Sequence, residues 1–107
     1  MPILRWCDGM FRSAIAFNGA LGSWDMRQVV RCGAMFQGAA AFNRPLPNWN
    51  FAIIPGSVEM NNMFYNATAF NQDISSWVVT KALTQPVLFN DGTLMASNLA
   101  FQPKWGV

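Results

Sequence analysis

Cys7 and Cys32 are the residues of this chain best suited to chemistry, and they lie 25 positions apart. A thiolate can act as a nucleophile or a metal ligand, but nucleophilic catalysis also needs a base beside the thiol. The chain has no histidine and no paired carboxylates within one motif. Its acidic residues are isolated: Asp8, Asp25, Glu59, Asp73 and Asp91. Phosphate-binding glycine loops and metal-ligand spacings are also absent, so we predict no enzymatic activity and no cofactor.

A skeleton of apolar residues recurs three times along the chain. It reads M-F-x-x-A-x-x-F-N-x-x-Ψ-x-x-W, where Ψ is leucine or isoleucine, and it spans Met10–Trp24, Met35–Trp49 and Met63–Trp77. Such agreement between copies is the signature of a repeat protein. One unit of about 25 residues cannot bury its apolar face alone, whereas stacked units share a continuous core. The sequence therefore predicts a solenoid.

Each unit is predicted to contain one short helix or 3₁₀ stretch and one short strand. Apolar residues at helical spacing place the helices at Val29–Gly38 and Met60–Ala67. Aromatic and β-branched residues place strands at Ser23–Met26 and Ser76–Val79. A Pro-Gly pair places a loop at Ile53–Gly56, where the second unit has three extra residues.

The whole chain, 1–107, is thus predicted to be one α/β repeat domain of about three to four coils. The predicted coils cover 4–28, 29–56 and 57–81, followed by an irregular terminal unit at 82–107. Two registers stay open for this last unit. Either Leu88-Phe89 is equivalent to the M-F pair, or Leu94-Met95 takes that place and leads to Phe101-Gln102.

Equivalent residues of stacked coils are expected to lie about 4.8 Å apart in ladders. Four structural ladders are predicted, and their members are Met10, Met35 and Met63; Phe17, Phe42 and Phe70; Asn18, Asn43 and Asn71; and Trp24, Trp49 and Trp77. Asparagine side chains can bond turn backbone and satisfy groups that a coil leaves unpaired. A stacking platform of tryptophans or a methionine metal site is the alternative, but fixed repeat positions favour packing.

The two cysteines occupy the same repeat position, so they are expected to face each other at a distance that permits a disulfide. The third copy has Met60 at this position, which marks it as apolar core. Reduced, buried cysteines are the favoured interpretation, since a free cysteine behaves as a small hydrophobic residue.

The third copy, M-F-Y-N-A-T-A-F-N-Q-D-I-S-S-W, resembles the bacterial surface-protein repeat of roughly 25–26 residues, which belongs with the BspA-like leucine-rich repeats. The upstream copies keep the skeleton but read G-A-L-G-S and R-P-L-P-N in place of Q-D-I-S-S. The resemblance implies a leucine-rich-repeat-like solenoid used for protein–protein contact or adhesion. It carries over no catalytic residues.

Charged residues make up only 11% of the chain, against roughly 25% in ordinary soluble domains. Surface with so little charge usually marks a partner site, so we expect protein partners to cover it. The net charge of +2 is small and its basic residues are scattered, which argues against nucleic acid binding. No run of 18 apolar residues predicts a membrane span, although a membrane-associated assembly is compatible with the sequence.

The chain opens inside a repeat, and its start, M-P-I-L-R-W-C-D-G, does not resemble a signal peptide. Solenoids need polar caps, so either the chain is a fragment of a longer array or a partner covers the open end. The predicted function is a non-catalytic structural or protein-interaction module, an accessory subunit docked in a larger assembly. The alternative is a fragment of an extracellular adhesion or recognition protein. An organellar complex and the cell surface both stay open as locations.

Overall fold

Regular secondary structure is scarce in this chain. A computed structural model describes residues 5–46, 49, 51, 59–77, 86–103 and 105. Within those ranges the helices are two short 3₁₀ segments, Leu94–Ser97 and Leu99–Phe101, and no α-helix or strand is formed. The predicted α/β solenoid with a helix and a strand in every coil, of leucine-rich-repeat type, is therefore wrong.

The segments predicted as helices are runs of tight turns. In the second unit the backbone N–H groups of Met35, Gln37 and Ala39 each donate to the carbonyl oxygen three residues earlier, at 3.3, 3.2 and 3.0 Å. Ser23–Met26 forms no strand, Val78 and Val79 lie outside the described residues, and so does the predicted loop at 53–56. The three turns overlap, and the bonds that close the first and the last join apolar residues three positions apart, which imitates the spacing of apolar residues on a helix.

Left-handed backbone at two fixed positions of each turn run prevents a helix from forming. We name the four turn runs by the ranges 7–14, 32–39, 60–67 and 86–93, one for each unit. The first left-handed position is Gly9, Ala34, Asn62 and Leu88, and the second is Ser13, Gly38, Asn66 and Gly92, with φ between +53° and +87°. Because a right-handed helix requires negative φ throughout, each such residue interrupts any helix.

Alternate backbone N–H groups of the first three turn runs donate to the next unit. Phe11 and Ser13 donate to the carbonyls of Met35 and Gln37 at 2.8 and 2.7 Å, and Phe36 donates to Met63 at 2.8 Å. Within a turn run all of these N–H donors belong to the earlier unit and all acceptors to the later one. In a parallel ladder, by contrast, both strands supply donors in alternation. This explains why units lie side by side without forming a sheet. The bridges described are isolated and parallel: Trp6 with Arg31, and Arg31 with Glu59.

The fourth unit follows the third at an offset of 26 residues. The N–H of Phe64 donates to the carbonyl of Phe89 at 2.7 Å, as Phe36 donates to Met63. Phe89 therefore holds the position of the repeat methionine. The first predicted register placed Leu88 at this position, one residue too early, and the second placed Leu94 there. Met95 lies further along the same unit, where its N–H donates to the carbonyl of Phe70 at 3.2 Å.

Burial of the core rises from the first unit to the second. Met35, Phe36 and Phe42 are completely buried, as are their equivalents in the third unit. The corresponding residues of the first unit remain partly accessible, and Met10 is 42% exposed. The core therefore extends from Cys7 and Leu21 of the first unit to Phe89 of the fourth, and it is less complete around Met10 than around the equivalent residues of the inner units.

Candidate functional site: the outer face of the first unit

The repeat phenylalanines form a continuous column through the first three units. Phe42 lies between Phe17 and Phe70, with ring centroids 5.8 Å away on each side and ring planes nearly parallel. A second column, formed by Phe11, Phe36 and Phe64, runs beside it with centroids 5.6 and 5.2 Å apart. These spacings exceed the 4.8 Å of a strand ladder, in keeping with the absence of a sheet.

The tryptophans and methionines divide between core and surface. Trp49 stacks on Trp77 at 5.6 Å, and their indole N–H groups donate to the carbonyls of Leu21 and Leu46 at 3.0 and 2.6 Å. Trp24 is half-buried, and its ring centroid lies 6.1 Å from that of Phe11. Of the repeat methionines, Met35 and Met63 are buried and Met10 is exposed.

The asparagine side chains connect successive units at the surface. The backbone N–H of Asn43 donates to Oδ1 of Asn18 at 2.8 Å, and that of Asn71 donates to Oδ1 of Asn43 at 2.9 Å. All three residues are exposed. Their amide oxygens thus accept backbone groups outside the core, and not in the interior of a coil.

The two cysteines are free, buried thiols. A hydrogen bond with Cys7, together with burial, raises the pKa of the Cys32 thiol well above its ordinary value. Sγ of Cys32 lies 3.4 Å from the carbonyl oxygen of Glu59 and 3.9 Å from Sδ of Met63. A thiol held protonated in apolar surroundings is a poor nucleophile.

Three charged side chains line a cleft beside the first three turn runs. The cleft has a volume of about 440 Å³, and the three side chains are those of Asp8, Arg12 and Glu59. Arg31 forms an ion pair with Asp8 at 3.2 Å. Among the described residues, no three of the histidine, cysteine, aspartate and glutamate side chains are close enough to hold a metal ion.

The outer face of the first unit exposes residues that are core residues elsewhere. We call Met10, Phe11, Phe17 and Trp24 the first-unit face. Met10 is exposed and the three aromatic residues are half-buried, whereas their equivalents in the second and third units are at most 3% exposed. The difference arises because a neighbouring unit covers the inner units on both sides. Within the described residues, no unit covers the other side of the first unit.

Backbone acceptors accompany this apolar face. The carbonyls of Gly33, Met35 and Gln37 accept N–H groups from the first unit. Their equivalents in the first unit are the carbonyls of Asp8, Met10 and Arg12, and no donor within the described ranges bonds them. The first-unit face therefore combines apolar side chains with a row of carbonyls that receive no hydrogen bond from the described residues. Sequence reasoning anticipated open ends but did not identify these residues as a face.

The chain matches the model of the family described as a Mycoplasma protein of unknown function, DUF285, over residues 5–103. The chain belongs to this family. The DUF285 match includes the first-unit face and all four turn runs. Neither the curated proteins nor the solved structures yielded a match. Within the described ranges of this DUF285 member, no helix has the length and apolar character needed to cross a membrane.

Proposed function

We propose that this chain is a non-catalytic protein-interaction module, docked as an accessory subunit in a larger assembly through its first-unit face. The observation that carries the proposal is the exposure of Met10, at 42%, where Met35 and Met63 are completely buried. Covering the first-unit face with another protein would give it the environment that the inner units already have.

The composition of the face suits a protein partner. Methionine and aromatic residues are enriched at protein interfaces, and contiguous exposed apolar surface usually marks a binding site. Two of its aromatic rings are already packed, since Phe11 and Phe17 stack with centroids 4.1 Å apart. Rings held in place lose little conformational freedom when a partner binds.

The chemistry of the polar residues supports a non-catalytic function. The buried Cys32 thiol has a raised pKa, and Asp25 is held as a carboxylate by Arg27 at 2.8 Å. Neither arrangement provides a nucleophile beside a base, which covalent catalysis requires.

A second candidate function is adhesion or recognition at a cell surface. It is favoured by the motif Met63–Trp77, whose residues resemble the BspA-like surface-protein repeat. In that case the chain would be recovered as part of a surface-displayed protein, and its partner would be an external ligand.

The accessory-subunit proposal is tested with a variant of the first-unit face in the native cells. Met10→Lys places a charge in the centre of the face, where an apolar partner would have to desolvate it. We expect the tagged wild-type chain to co-purify after crosslinking with a companion, either a different protein or an untagged second copy of this chain, and the Met10→Lys chain to lose that companion.

The matched control is Ile15→Lys, in the same unit. Ile15 is 70% exposed and lies beyond the second left-handed position, and its equivalents Ala40 and Thr68 are exposed too. This control should retain the companion, and both variants should keep the wild-type near-ultraviolet circular dichroism. Recovery of the wild-type chain without any companion, or equal retention by both variants, would refute the proposal.

A further inference from the structure

The outer edge of the fourth unit carries backbone groups complementary to those of the first. In the third unit the N–H groups of Asn62 and Asn66 donate to the carbonyls of Val87 and Asp91, both at 2.9 Å. The equivalents of these two donors in the fourth unit are the N–H groups of Leu88 and Gly92. Both residues are exposed, and no acceptor in the described part of the chain bonds these N–H groups.

The backbone of the fourth turn run has the form needed to continue the pattern. Leu88 and Gly92 have φ of +53° and +87°, and Asn62 and Asn66 have +62° and +58° at the same positions. Because equivalent residues share one conformation, the two free N–H groups point away from the third unit. They have the spacing of the free carbonyls of Asp8 and Arg12 at the other end of the molecule.

We propose that the first-unit face binds the fourth unit of a second copy of this chain, so that copies associate head to tail. The N–H groups of Leu88 and Gly92 would donate to the carbonyls of Asp8 and Arg12 of the second copy. This repeats the bonds that Gly9 and Ser13 make to Gly33 and Gln37, at 2.9 and 2.7 Å. The inference rests on the proposed function, since it names the partner of the same face.

Side chains at the two edges match as well. Asp91 holds the repeat position of Arg12, so head-to-tail stacking would bring this carboxylate beside the Arg12 guanidinium of the second copy. The fourth unit also exposes apolar side chains toward a neighbour, among them Val87 at 67% and Leu88 at 38%. Val87 and Leu88 hold the repeat positions of Asp8 and Gly9, so they would lie next to Met10 of the second copy, whose own equivalent in the fourth unit, Phe89, is buried.

A symmetric pairing of two first-unit faces is disfavoured by the same atoms. Such a pairing would place the carbonyls of Asp8 and Arg12 of one copy against the same carbonyls of the other. Burying these acceptors without donors would cost free energy. A contact between two different edges is heterologous, and it extends into a chain of copies unless it closes into a ring. The expected product is therefore a concentration-dependent series of oligomers.

The test blocks one edge at a time in the purified chain. Met10→Lys blocks the first-unit face, and Leu88→Lys blocks the fourth unit. Sedimentation velocity over a concentration series should show association of the wild type and a loss of about a hundredfold in affinity for each variant alone. An equimolar mixture of the two variants should form a heterodimer that cannot extend, since each partner retains one intact edge.

A charge exchange provides a second set of variants that leaves the apolar residues unchanged. Arg12→Asp or Asp91→Arg alone places like charges together and should weaken association about tenfold, whereas the double variant should restore it. Ile15→Lys is the control and should associate as the wild type does. These variants keep the proposal testable if Met10→Lys fails to fold.

Three results would overturn the head-to-tail arrangement: a wild-type chain that stays monomeric, association that neither single block reduces, or a mixture without heterodimer. If the purified chain is monomeric while Met10→Lys still loses a companion in cells, the face binds a different protein. The proposed function would then stand and this inference would fail. If Met10→Lys retains its companion in cells, the proposed function itself fails.

Discussion

Asp25 and Arg27 form the best-defined ion pair of the first unit. Nε and Nη2 of Arg27 donate to the two carboxylate oxygens of Asp25 at 2.9 and 2.8 Å, and the backbone N–H of Arg27 donates to Oδ1 at 3.0 Å. These bonds, the side-chain bonds first, lower the pKa of Asp25 from 3.8 to about 2. In the third unit the hydroxyl and N–H of Ser75 lower the pKa of Asp73 in the same way.

Arg27→Ala should raise the pKa of Asp25 while leaving it below 3.8, because the backbone N–H of residue 27 remains as a donor. A carboxylate whose pKa is lower in the folded state stabilises the fold above its unfolded pKa. The contribution of Asp25 is thus complete above its ordinary pKa of 3.8 and is lost as the pH falls through about 2. Carboxyl-carbon NMR titration measures this, with Asp73 as the internal control. Titration of Asp25 at its ordinary pKa in the wild type would contradict the geometry.

Repeat arithmetic says which residues are equivalent, but it does not say how exposed each one is. An offset of 28 relates Phe42 to Phe70 and Asn43 to Asn71, and these pairs are neighbours in the structure, by ring stacking and by a hydrogen bond. Met10 has the same residue type and repeat position as Met35, yet only Met10 is exposed. The exposure of a repeat side chain depends on whether its unit has a neighbouring unit on both sides. The residue type does not contain this information.

At the scale of the element, the turn run replaces the predicted helix and strand. Overlapping turns closed by bonds between residues three positions apart place apolar residues at the spacing found on a helix, so periodicity cannot separate the two. Gly9, Gly38 and Gly92 do hint at left-handed backbone, but Ala34 and Leu88 adopt it without any such hint. Only the hydrogen bonds between units, which hold those residues in place, distinguish the turn run from a helix.

The first left-handed position allows a matched pair of substitutions. Gly9→Ala should destabilise the fold by about 1 kcal/mol, because left-handed backbone is unfavourable for a residue with a Cβ atom. A Cβ atom at Gly9 would meet no other atom within 4 Å, so the cost is one of backbone conformation.

The reverse change in the next unit, Ala34→Gly, should stabilise the fold by about 0.5 kcal/mol. Glycine removes the energetic cost of left-handed backbone at this position, and this gain exceeds the larger conformational entropy that a glycine loses on folding. Urea denaturation of both variants measures the free energies of unfolding. Equal effects of the same sign would show that this position does not require left-handed backbone.

At the scale of the whole molecule, the units stack in one direction and leave two different edges. The first edge offers carbonyls and core-type side chains, and the fourth offers N–H groups and exposed aliphatic residues. Low charge, visible in the sequence, indicated that some surface would be covered. The location of that surface required the direction of hydrogen-bond donation and the 26-residue offset of the fourth unit, and neither follows from composition or motif.

The central claim, that a protein covers the first-unit face in the working state, is tested most directly by methionine oxidation footprinting. Met10 should be oxidised readily in the dilute purified chain and protected in the native assembly, since oxidation follows solvent exposure. Met35 and Met63 are buried and should be protected in both samples, which makes them internal controls. Oxidation of Met10 at the same rate in both samples would contradict the claim.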